Sequence, residues 1–360
     1  MTPRRSLRGG AAGGGALEYG AGILDGLGVR AARRVRPGPC LLVTDRTVGR
    51  LYGVEAAASL RRAGFAPRVL AIPPGERAKT LAVLGRVLGA LARMGADREA
   101  PVVALGGGVV TDLAGFAAAV YARGVPWVAV PTTLLAMADA AVGGKTGVDL
   151  PEGKNLAGAF HAPRLVLADG STLATLPRRH RRNGLAEIAK MDLLDGLLRG
   201  LPRVRRLAGI EGDGAALAAA ARRAAAAKAA LVAEDPRERR GRRILLNLGH
   251  TVGHALEAAT GYGGRVLHGE AVAVGIVAAC RVAEARGLLR AGEATRVAEA
   301  LAALGLPTAL PRGVSPRAVI ARTAVDKKRA GGAVRMVLPR SAARAVVREV
   351  APGEIAAALR

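Results

Sequence analysis

This sequence contains few aromatic residues, no glutamine and little lysine. Aromatic side chains make up 2% of its 360 residues, although 51% of the residues are apolar. The core must therefore be built from alanine, valine and leucine, which suits close-packed helices and buried parallel strands. A chain of this length is long enough to form two domains, each with its own core.

Cysteine and long apolar segments are also scarce. The two cysteines, Cys40 and Cys280, are far apart and lie outside any CxxC spacing, which indicates a reduced, cytoplasmic protein. Residues 1–15 contain no continuous apolar stretch typical of a secretory signal, and we expect a disordered tail there. The most apolar stretch, residues 125–144, is interrupted by a proline and an aspartate, so we expect no membrane partner.

Positive charge dominates, with a formal net charge of +26, but its distribution argues against a nucleic-acid partner. Only seven of the 54 cationic residues are lysine, and the arginines are scattered along the whole chain instead of gathered in one arm. Where arginine is the default surface cation, a lysine marks a position at which a planar guanidinium cannot replace a compact ammonium. The seven are Lys79, Lys145, Lys154, Lys190, Lys228, Lys327 and Lys328.

The order of the apolar segments predicts an α/β fold. Short apolar segments that alternate with helical patterns indicate parallel strands in a doubly wound, Rossmann-like sheet. After about Pro177 the patterns become Ala-rich and mostly helical. We therefore expect an N-terminal α/β domain over residues 1–177 and a mostly α-helical domain over residues 178–360. The predicted strands lie at 40–45, at 67–72, near 101, within 125–135 and at 164–169.

A glycine triplet, Gly106 to Gly108, lies between a predicted strand and a predicted helix. Glycines at this point let backbone N–H groups approach a pyrophosphate at the helix N-terminus. Asp112 lies just inside that helix, and residues 131–133 end the next predicted strand. Because the carboxyl ends of adjacent parallel strands lie together, these residues predict a dinucleotide site.

The run of residues 139–155 is polar and rich in glycine. It contains Asp139, Lys145, Lys154 and Asn155, which include two of the seven lysines. Such a run is an ordinary surface loop in many proteins. The concentration of rare residue types favours an anion-binding site instead.

Three of the five histidines lie between residues 250 and 268. His250 and His254 are four residues apart in a helical pattern, so both project from one helix face. With His268 and a carboxylate such as Glu187, they match the ligands of a zinc site that keeps a position open for substrate. Spacing alone assigns both His250 and His254 to the metal. Glu187 with Lys190 can also be read as an ordinary helical ion pair.

Together these segments resemble the 3-dehydroquinate synthases, a family of sugar-phosphate cyclases. The resemblance runs in order from about Asp45 to Leu338. The matching segments are Gly75–Glu76 with Lys79, GGGVVTDLAGF (106–116), YARG (121–124), PTTLL (131–135), GGKTG with EGKN (143–155), GLAEIAK (184–190), LNLGHTVGHALE (246–257), HGEAVAVG (268–275) and DKK (326–328).

The resemblance implies an NAD-binding α/β domain, a helical metal- and substrate-binding domain, and an active site in the cleft between them. It implies Zn²⁺ or Co²⁺ held by Glu187, His250 and His268, which makes His254 a site residue and not a ligand. The residues implied around the dinucleotide are Asp45, Gly75, Glu76, Lys79, Gly107, Gly108, Val109, Asp112, Thr132, Thr133, Lys145, Lys154, Thr172 and Thr175.

The implied enzyme is a lyase of the shikimate pathway, which leads to the aromatic amino acids, and a homodimer. It converts 3-deoxy-D-arabino-heptulosonate 7-phosphate to 3-dehydroquinate and phosphate, and its NAD is regenerated in each cycle. Lysines and Asn155 would bind the phosphate, Arg243 would hold the carboxylate, and His254 and Lys190 would relay protons. The implied catalytic and substrate-binding residues are Arg123, Asp139, Lys145, Lys154, Asn155, Lys190, Lys228, Arg243, Asn247, His254, Lys327 and Lys328.

Two related reactions remain open at this point. One is that of a cyclase of secondary metabolism, of the aminodehydroquinate or valiolone type. Arg243 and Asn247 favour a substrate with a carboxylate, which disfavours the valiolone type but leaves the amino analogue possible. The other is a metal-dependent polyol dehydrogenase, which shares the architecture but performs net redox chemistry. The lysines favour elimination of phosphate.

Overall fold

The computed structural model describes residues 15–238, 241–261, 264–323 and 332–360. The expected disordered tail, residues 1–15, lies outside this range except for Gly15, as do Lys327 and Lys328. The chain forms two compact units. The first comprises the chain up to Leu176 together with Asp213–Arg237, and the second comprises Pro177–Gly212 and the chain from Glu238.

Strands and helices alternate in the first part of the first unit, as predicted. In chain order they are β1 (Ala16–Gly20), α1 (Leu27–Ala32), β2 (Pro39–Asp45), α2 (Arg46–Arg62), β3 (Ala66–Ile72), α3 (Leu81–Arg93), β4 (Val102–Gly106), α4 (Gly108–Val120), β5 (Trp127–Pro131), β6 (Lys145–Leu150), β7 (Gly153–Phe160) and β8 (Leu165–Asp169).

Six of these strands form one parallel sheet in the order β1-β8-β5-β4-β2-β3. Side chains alternate along each strand between its two faces. Leu41 and Val43 of β2 pack with α3 and α4 on one face, while Cys40 and Leu42 pack with α1 and α2 on the other. Both faces are thus covered, and the predicted doubly wound sheet is confirmed.

The carboxyl ends of three neighbouring strands bring the predicted dinucleotide motifs to one edge of this sheet. β2 ends at Asp45, β4 at Gly106 and β5 at Pro131. The register pairs Gly106 directly with Pro131. The helix predicted to begin near Thr111 begins at Gly108, so the glycine triplet leads straight into its first turn.

Two parts of the first unit differ from the sequence-based prediction. Strand β1, which begins directly after the expected tail and pairs with β8, was not predicted. Its residues are only half-buried at the edge of the sheet, so they give no continuous apolar pattern. The polar run of residues 139–155, in which no strand was predicted, contributes β6 and the start of β7, which pair antiparallel. The reason is burial: Thr146 and Val148 are buried on β6, and α4 presents Gly115 where a side chain would collide with Thr146.

The remainder of the chain is mainly helical, as expected. Its elements are α5 (Arg178–Leu193), α6 (Leu197–Leu207), α7 (Gly214–Glu234), α8 (His250–Ala259), α9 (His268–Ala285), α10 (Glu293–Ala303), α11 (Pro316–Thr323), β9 (Val334–Leu338), β10 (Val346–Val350) and α12 (Pro352–Ala358). The antiparallel pair of β9 and β10 was not predicted. No helix in the described ranges is long and apolar enough to cross a membrane.

Helix α7 corrects the expected division of the chain at residue 177. The second unit does begin at Pro177, but α7, which follows it in the sequence, belongs to the first unit. Gly214 at its start packs so closely on Gly170 that a Cβ on either glycine would collide with the other backbone. Small side chains and a Lys228–Asp139 ion pair of 2.9 Å hold α7 to this unit. An Ala-rich pattern predicts a helix but does not specify its packing partner.

Candidate active site

Three helices of the second unit converge on a cluster of possible metal ligands. Glu187 lies on α5, His250 is the first residue of α8, and His268 is the first residue of α9. The Nε2 atoms of His250 and His268 lie 3.7 Å and 3.4 Å from Oε1 of Glu187. One ligand atom from each of the three residues lies within 4.8 Å of the others, a spacing that one divalent cation can bridge.

The other nitrogen of each imidazole has its own partner. Nδ1 of His250 lies 3.2 Å from the carbonyl oxygen of Leu248, and Nδ1 of His268 lies 3.1 Å from Oε2 of Glu257. With a cation bound at Nε2, the N–H on each Nδ1 would donate to these oxygens. Partners of this kind fix the tautomer and ring orientation of metal-binding histidines.

The carboxylate of Glu187 fits a metal ligand. It is fully buried, and within the described residues neither oxygen accepts a hydrogen bond of normal geometry. Burial opposes its ionisation, but the adjacent Lys190 ammonium and the two histidines hold the pKa of Glu187 well below its usual range. Lys190 is one partner of this buried, ionised carboxylate, and a divalent cation beside the two imidazoles would be a second.

Burial and charge act differently on the two histidines. Burial, assisted by the charge of Lys190, lowers the pKa of His250 to about 3, which keeps the ring neutral at physiological pH. Burial also opposes protonation of His268, but Glu187 and Glu257 outweigh it and raise the pKa of His268 to about 10. A cation that binds Nε2 of His268 must therefore displace a proton.

His254 lies beside this cluster, as the resemblance implies. Its ring centroid is 5.1 Å from that of His250, and the residue is exposed. A second possible ligand group combines His254, Glu257 and His268, but it uses a histidine that already donates to Glu257. Among the described residues, no group of three possible ligands contains both His250 and His254. The assignment from spacing alone, with both on the metal, is therefore not supported.

Glycines bring α8 and α9 close enough to place His268 beside His250. Gly249, which precedes α8, has φ +79° and lies against the backbone of α9. A Cβ on Gly275 of α9 would overlap the carbonyl oxygen of Gly249, and one on Gly253 would lie 3.3 Å from the backbone of Ala271. The glycines in these two motifs are thus required by helix packing.

We expect Gly275→Ala to push α8 and α9 apart. Overpacking of this kind costs about 1–3 kcal/mol of stability, and it should also weaken metal binding because His250 and His268 lie on the separated helices. Thermal unfolding followed by circular dichroism and metal content after dialysis would measure both effects. Gly353→Ala is the matched control, because a Cβ there meets no atom within 4 Å. Equal stability and metal content in both variants would contradict the expectation.

A second polar cluster lies in the first unit. The buried ammonium of Lys79 is 2.6 Å from Oδ2 of Asp112 and also donates to the side chain of Asn155. Burial opposes its charge, but Asp112 and Glu76 outweigh burial and raise the pKa of Lys79. Lys154 lies 3.5 Å from Glu76. Five residues expected near the dinucleotide or substrate phosphate are thus brought together.

The N-terminus of α4 has the features expected of a pyrophosphate site. Gly107 caps the helix, and Gly108 and Val109 form its first turn. Glycines here leave the N–H groups open to an anion. Thr133 accepts from the N–H of Ala136. Within residues 15–238, the buried Thr132 hydroxyl has no hydrogen-bond partner, which suits a ligand at this edge of the sheet.

Other expected cofactor residues lie after β2, β3 and β8. Asp45 uses one carboxylate oxygen to cap α2 through Thr47 and Val48. Gly75 has φ +88°, a backbone conformation that glycine adopts readily, and Glu76 follows it. Thr172 and Thr175 lie in and after the short helical turn Gly170–Ala174.

Two family models match consecutive parts of the chain. Residues 69–183 match the N-terminal model of 3-dehydroquinate synthase, and residues 184–329 match the C-terminal model. The chain belongs to the 3-dehydroquinate synthase family. Among its relatives, the 3-dehydroquinate synthase of Xanthomonas axonopodis pv. citri is 47% identical, with 92% of each chain covered. That of Symbiobacterium thermophilum is 46% identical, with 94% of this chain and 92% of the relative covered.

Solved structures of related cyclases share this fold. The 2-epi-5-epi-valiolone synthase ValA from Streptomyces hygroscopicus subsp. jinggangensis, with NAD⁺ and Zn²⁺ bound, has a TM-score of 0.85 and 33% identity. The match covers 100% of this chain and 98% of the ValA chain. A 2-deoxy-scyllo-inosose synthase complexed with carbaglucose-6-phosphate, NAD⁺ and Co²⁺ has a TM-score of 0.86 and 26% identity, with 96% of each chain covered.

Some residues implied by the 3-dehydroquinate synthase motifs lie elsewhere or have other contacts. Arg123 follows α4 and precedes β5, so it lies at the amino end of the strands, opposite the edge formed by Asp45 and Pro131. The structure therefore does not bring it to the other residues of its unit's site. Lys228 is buried and contacts both the carboxylate and the carbonyl oxygen of Asp139.

Two further residues of the implied set lie in described elements, and two do not. Arg243 is buried and begins the short helical turn Arg243–Asn247, which leads into α8 and the histidines. Lys145 is exposed at the start of β6. Lys327 and Lys328 lie outside the described residues.

Two residues with site contacts were missed by sequence reasoning. Glu257 contacts His268 and closes the motif LNLGHTVGHALE, three residues after His254. Its spacing of three and seven residues from His254 and His250 in a helical pattern could have indicated that it lies on the same helix face. Tyr52 of α2 donates to the carbonyl oxygen of Thr172, and its hydroxyl lies 2.6 Å from that of Thr175. No motif marked Tyr52, since it reaches these residues only through the fold.

Proposed function

We propose that this chain converts 3-deoxy-D-arabino-heptulosonate 7-phosphate to 3-dehydroquinate and phosphate, with one bound divalent cation and NAD that is regenerated. The observation that carries the proposal is the cluster of Glu187, His250 and His268, whose buried carboxylate fits a cation. This cluster lies in a chain 47% identical to a 3-dehydroquinate synthase.

Each expected group has a part in this reaction. Glu187, His250 and His268 would hold Zn²⁺ or Co²⁺. A cation and NAD bound there would supply polarisation of a ring hydroxyl and acceptance of a hydride from the carbon that bears it, and the hydride would return to that carbon after phosphate has left. The resulting ketone acidifies the adjacent C–H bond, which permits elimination of phosphate. His254 and Lys190 are placed beside the metal ligands, where they can contact the hydroxyls and move protons.

The dinucleotide would lie along the carboxyl edge of the parallel sheet. The first turn of α4 offers its backbone N–H groups to the pyrophosphate, as helix N-termini do in other proteins. The Thr132 hydroxyl, the second oxygen of Asp45 and the hydroxyls near Tyr52 would provide further polar contacts.

The anionic groups of the substrate require cations, and the chain offers them at lysines and one buried arginine. Arg243 suits a bidentate contact with the carboxylate. Lys154, Asn155 and one of Lys327 and Lys328 remain our candidates for the phosphate. A homodimer and a cytoplasmic location complete the proposal.

A cyclase acting on a substrate without a carboxylate is the second candidate, because ValA is 33% identical over the whole chain. Arg243 disfavours it, because we propose that this buried guanidinium binds a substrate carboxylate. An aminodehydroquinate-type reaction would retain that carboxylate.

The test is phosphate release by purified protein supplied with NAD, Zn²⁺ and the proposed substrate. We expect phosphate and a carbocyclic product of the mass of dehydroquinate in equal amounts, without net NADH. Chelation of the metal should stop the reaction, and Zn²⁺ or Co²⁺ should restore it. Failure of a folded, zinc-loaded protein to release phosphate would overturn the proposal. Turnover of the corresponding heptulose phosphate without a carboxylate would instead support the second candidate.

A further inference from the structure

A carboxylate outside the proposed metal ligands contacts one of them directly. Glu257 is buried on α8, seven residues after His250, so both residues project from the same face two turns apart. Its Oε2 atom lies 3.1 Å from Nδ1 of His268, while the opposite nitrogen of that ring faces Glu187 at 3.4 Å. The imidazole of His268 is thus held between two carboxylates.

The two histidine ligands differ in how they are held. His250 donates to the carbonyl oxygen of Leu248, which belongs to the backbone just before its own helix. His268 instead begins α9 and depends on a side chain of α8. Within the described residues, Glu257 is the acidic side chain that holds Nδ1 of a proposed ligand. A hydrogen bond from Nδ1 to a carboxylate raises the basicity of Nε2 and fixes the plane of the ring.

We propose that Glu257 is a positioning residue that orients His268 and strengthens its bond to the metal. It links α8 to α9, so that the same helix supplies His250 and the partner of His268. This inference rests on the proposed function only in assuming that Glu187, His250 and His268 bind a divalent cation.

The test is metal affinity, measured with a chromophoric chelator as competitor, for wild-type protein, Glu257→Gln and Glu257→Ala. Glu257→Gln retains an acceptor of similar size and loses the charge, so we expect about a tenfold weaker affinity for Zn²⁺. Glu257→Ala loses the acceptor as well, and we expect about a hundredfold weaker affinity. The visible absorption spectrum of the Co²⁺-loaded variants should also change, because the geometry at the ion depends on the orientation of His268.

Glu299→Gln is the matched control, because it removes one negative charge from an exposed position of α10. It should leave both affinity and spectrum unchanged. Should both Glu257 variants bind Zn²⁺ within about twofold of the wild type, with an unchanged Co²⁺ spectrum, the inference is wrong. If Glu257→Ala does not fold, the Gln variant alone decides, because its volume is conserved. Neither measurement involves phosphate release, so failure of the proposed reaction is distinguished from failure of this inference.

Discussion

Replacement of His250 by alanine is expected to abolish metal binding and to lower the rate of phosphate release by a factor of a thousand or more. His250 supplies one of three proposed ligands, and burial keeps its ring neutral and ready to bind. Polarisation of a substrate oxygen by a cation contributes several kcal/mol, and each 1.36 kcal/mol corresponds to about tenfold in rate. The measurements are metal content after dialysis and initial rates of phosphate release.

His180→Ala is the control for this variant. His180 lies on α5 in the same unit but is exposed and belongs to neither group of possible metal ligands among the described residues. It should retain the metal and release phosphate at nearly the wild-type rate. A His250→Ala protein that keeps one equivalent of zinc and wild-type turnover would remove His250 from the proposed ligand set.

The metal cluster shows what spacing can and cannot predict. His250 and His254 project from one face of α8, as their spacing indicated, yet the ligand geometry pairs His250 with His268 across two helices. That pairing depends on the close approach of Gly249 and Gly275, which is a tertiary contact. The family motifs implied the Glu187, His250 and His268 group because they include the glycines at which α8 and α9 pack together.

The fold was predictable where burial produced a simple pattern. Strands β2, β4, β5 and β8 are buried on both faces and appear in the sequence as continuous apolar segments. Strands β1, β6, β7 and β10 are partly exposed, and their patterns are weak. Helix α7 was recognised as a helix, but its assignment to the first unit depends on which surface its alanines cover.

Lys79→Met is expected to destabilise the first unit by about 3–5 kcal/mol, the typical cost of breaking a buried ion pair by removing one partner. The ammonium of Lys79 is almost fully buried between Asp112 and Asn155. Without it, the Asp112 carboxylate, whose pKa burial already raises, would lose its neighbouring cation. The chain's single tryptophan, Trp127, lies in the core of this unit, so its fluorescence during urea unfolding measures the loss.

The surface pair of Lys154 and Glu76 provides the matched comparison. These groups are 3.5 Å apart with side chains 27% and 37% exposed, so Lys154→Met should cost less than about 1 kcal/mol. The double variant Lys79→Met with Asp112→Leu should recover part of the loss, because it leaves no buried charge without its partner. If Lys79→Met costs no more than Lys154→Met, the Lys79–Asp112 pair is not a source of stability. Its retention would then be explained by ligand binding, and NAD affinity would be the property that the substitution impairs.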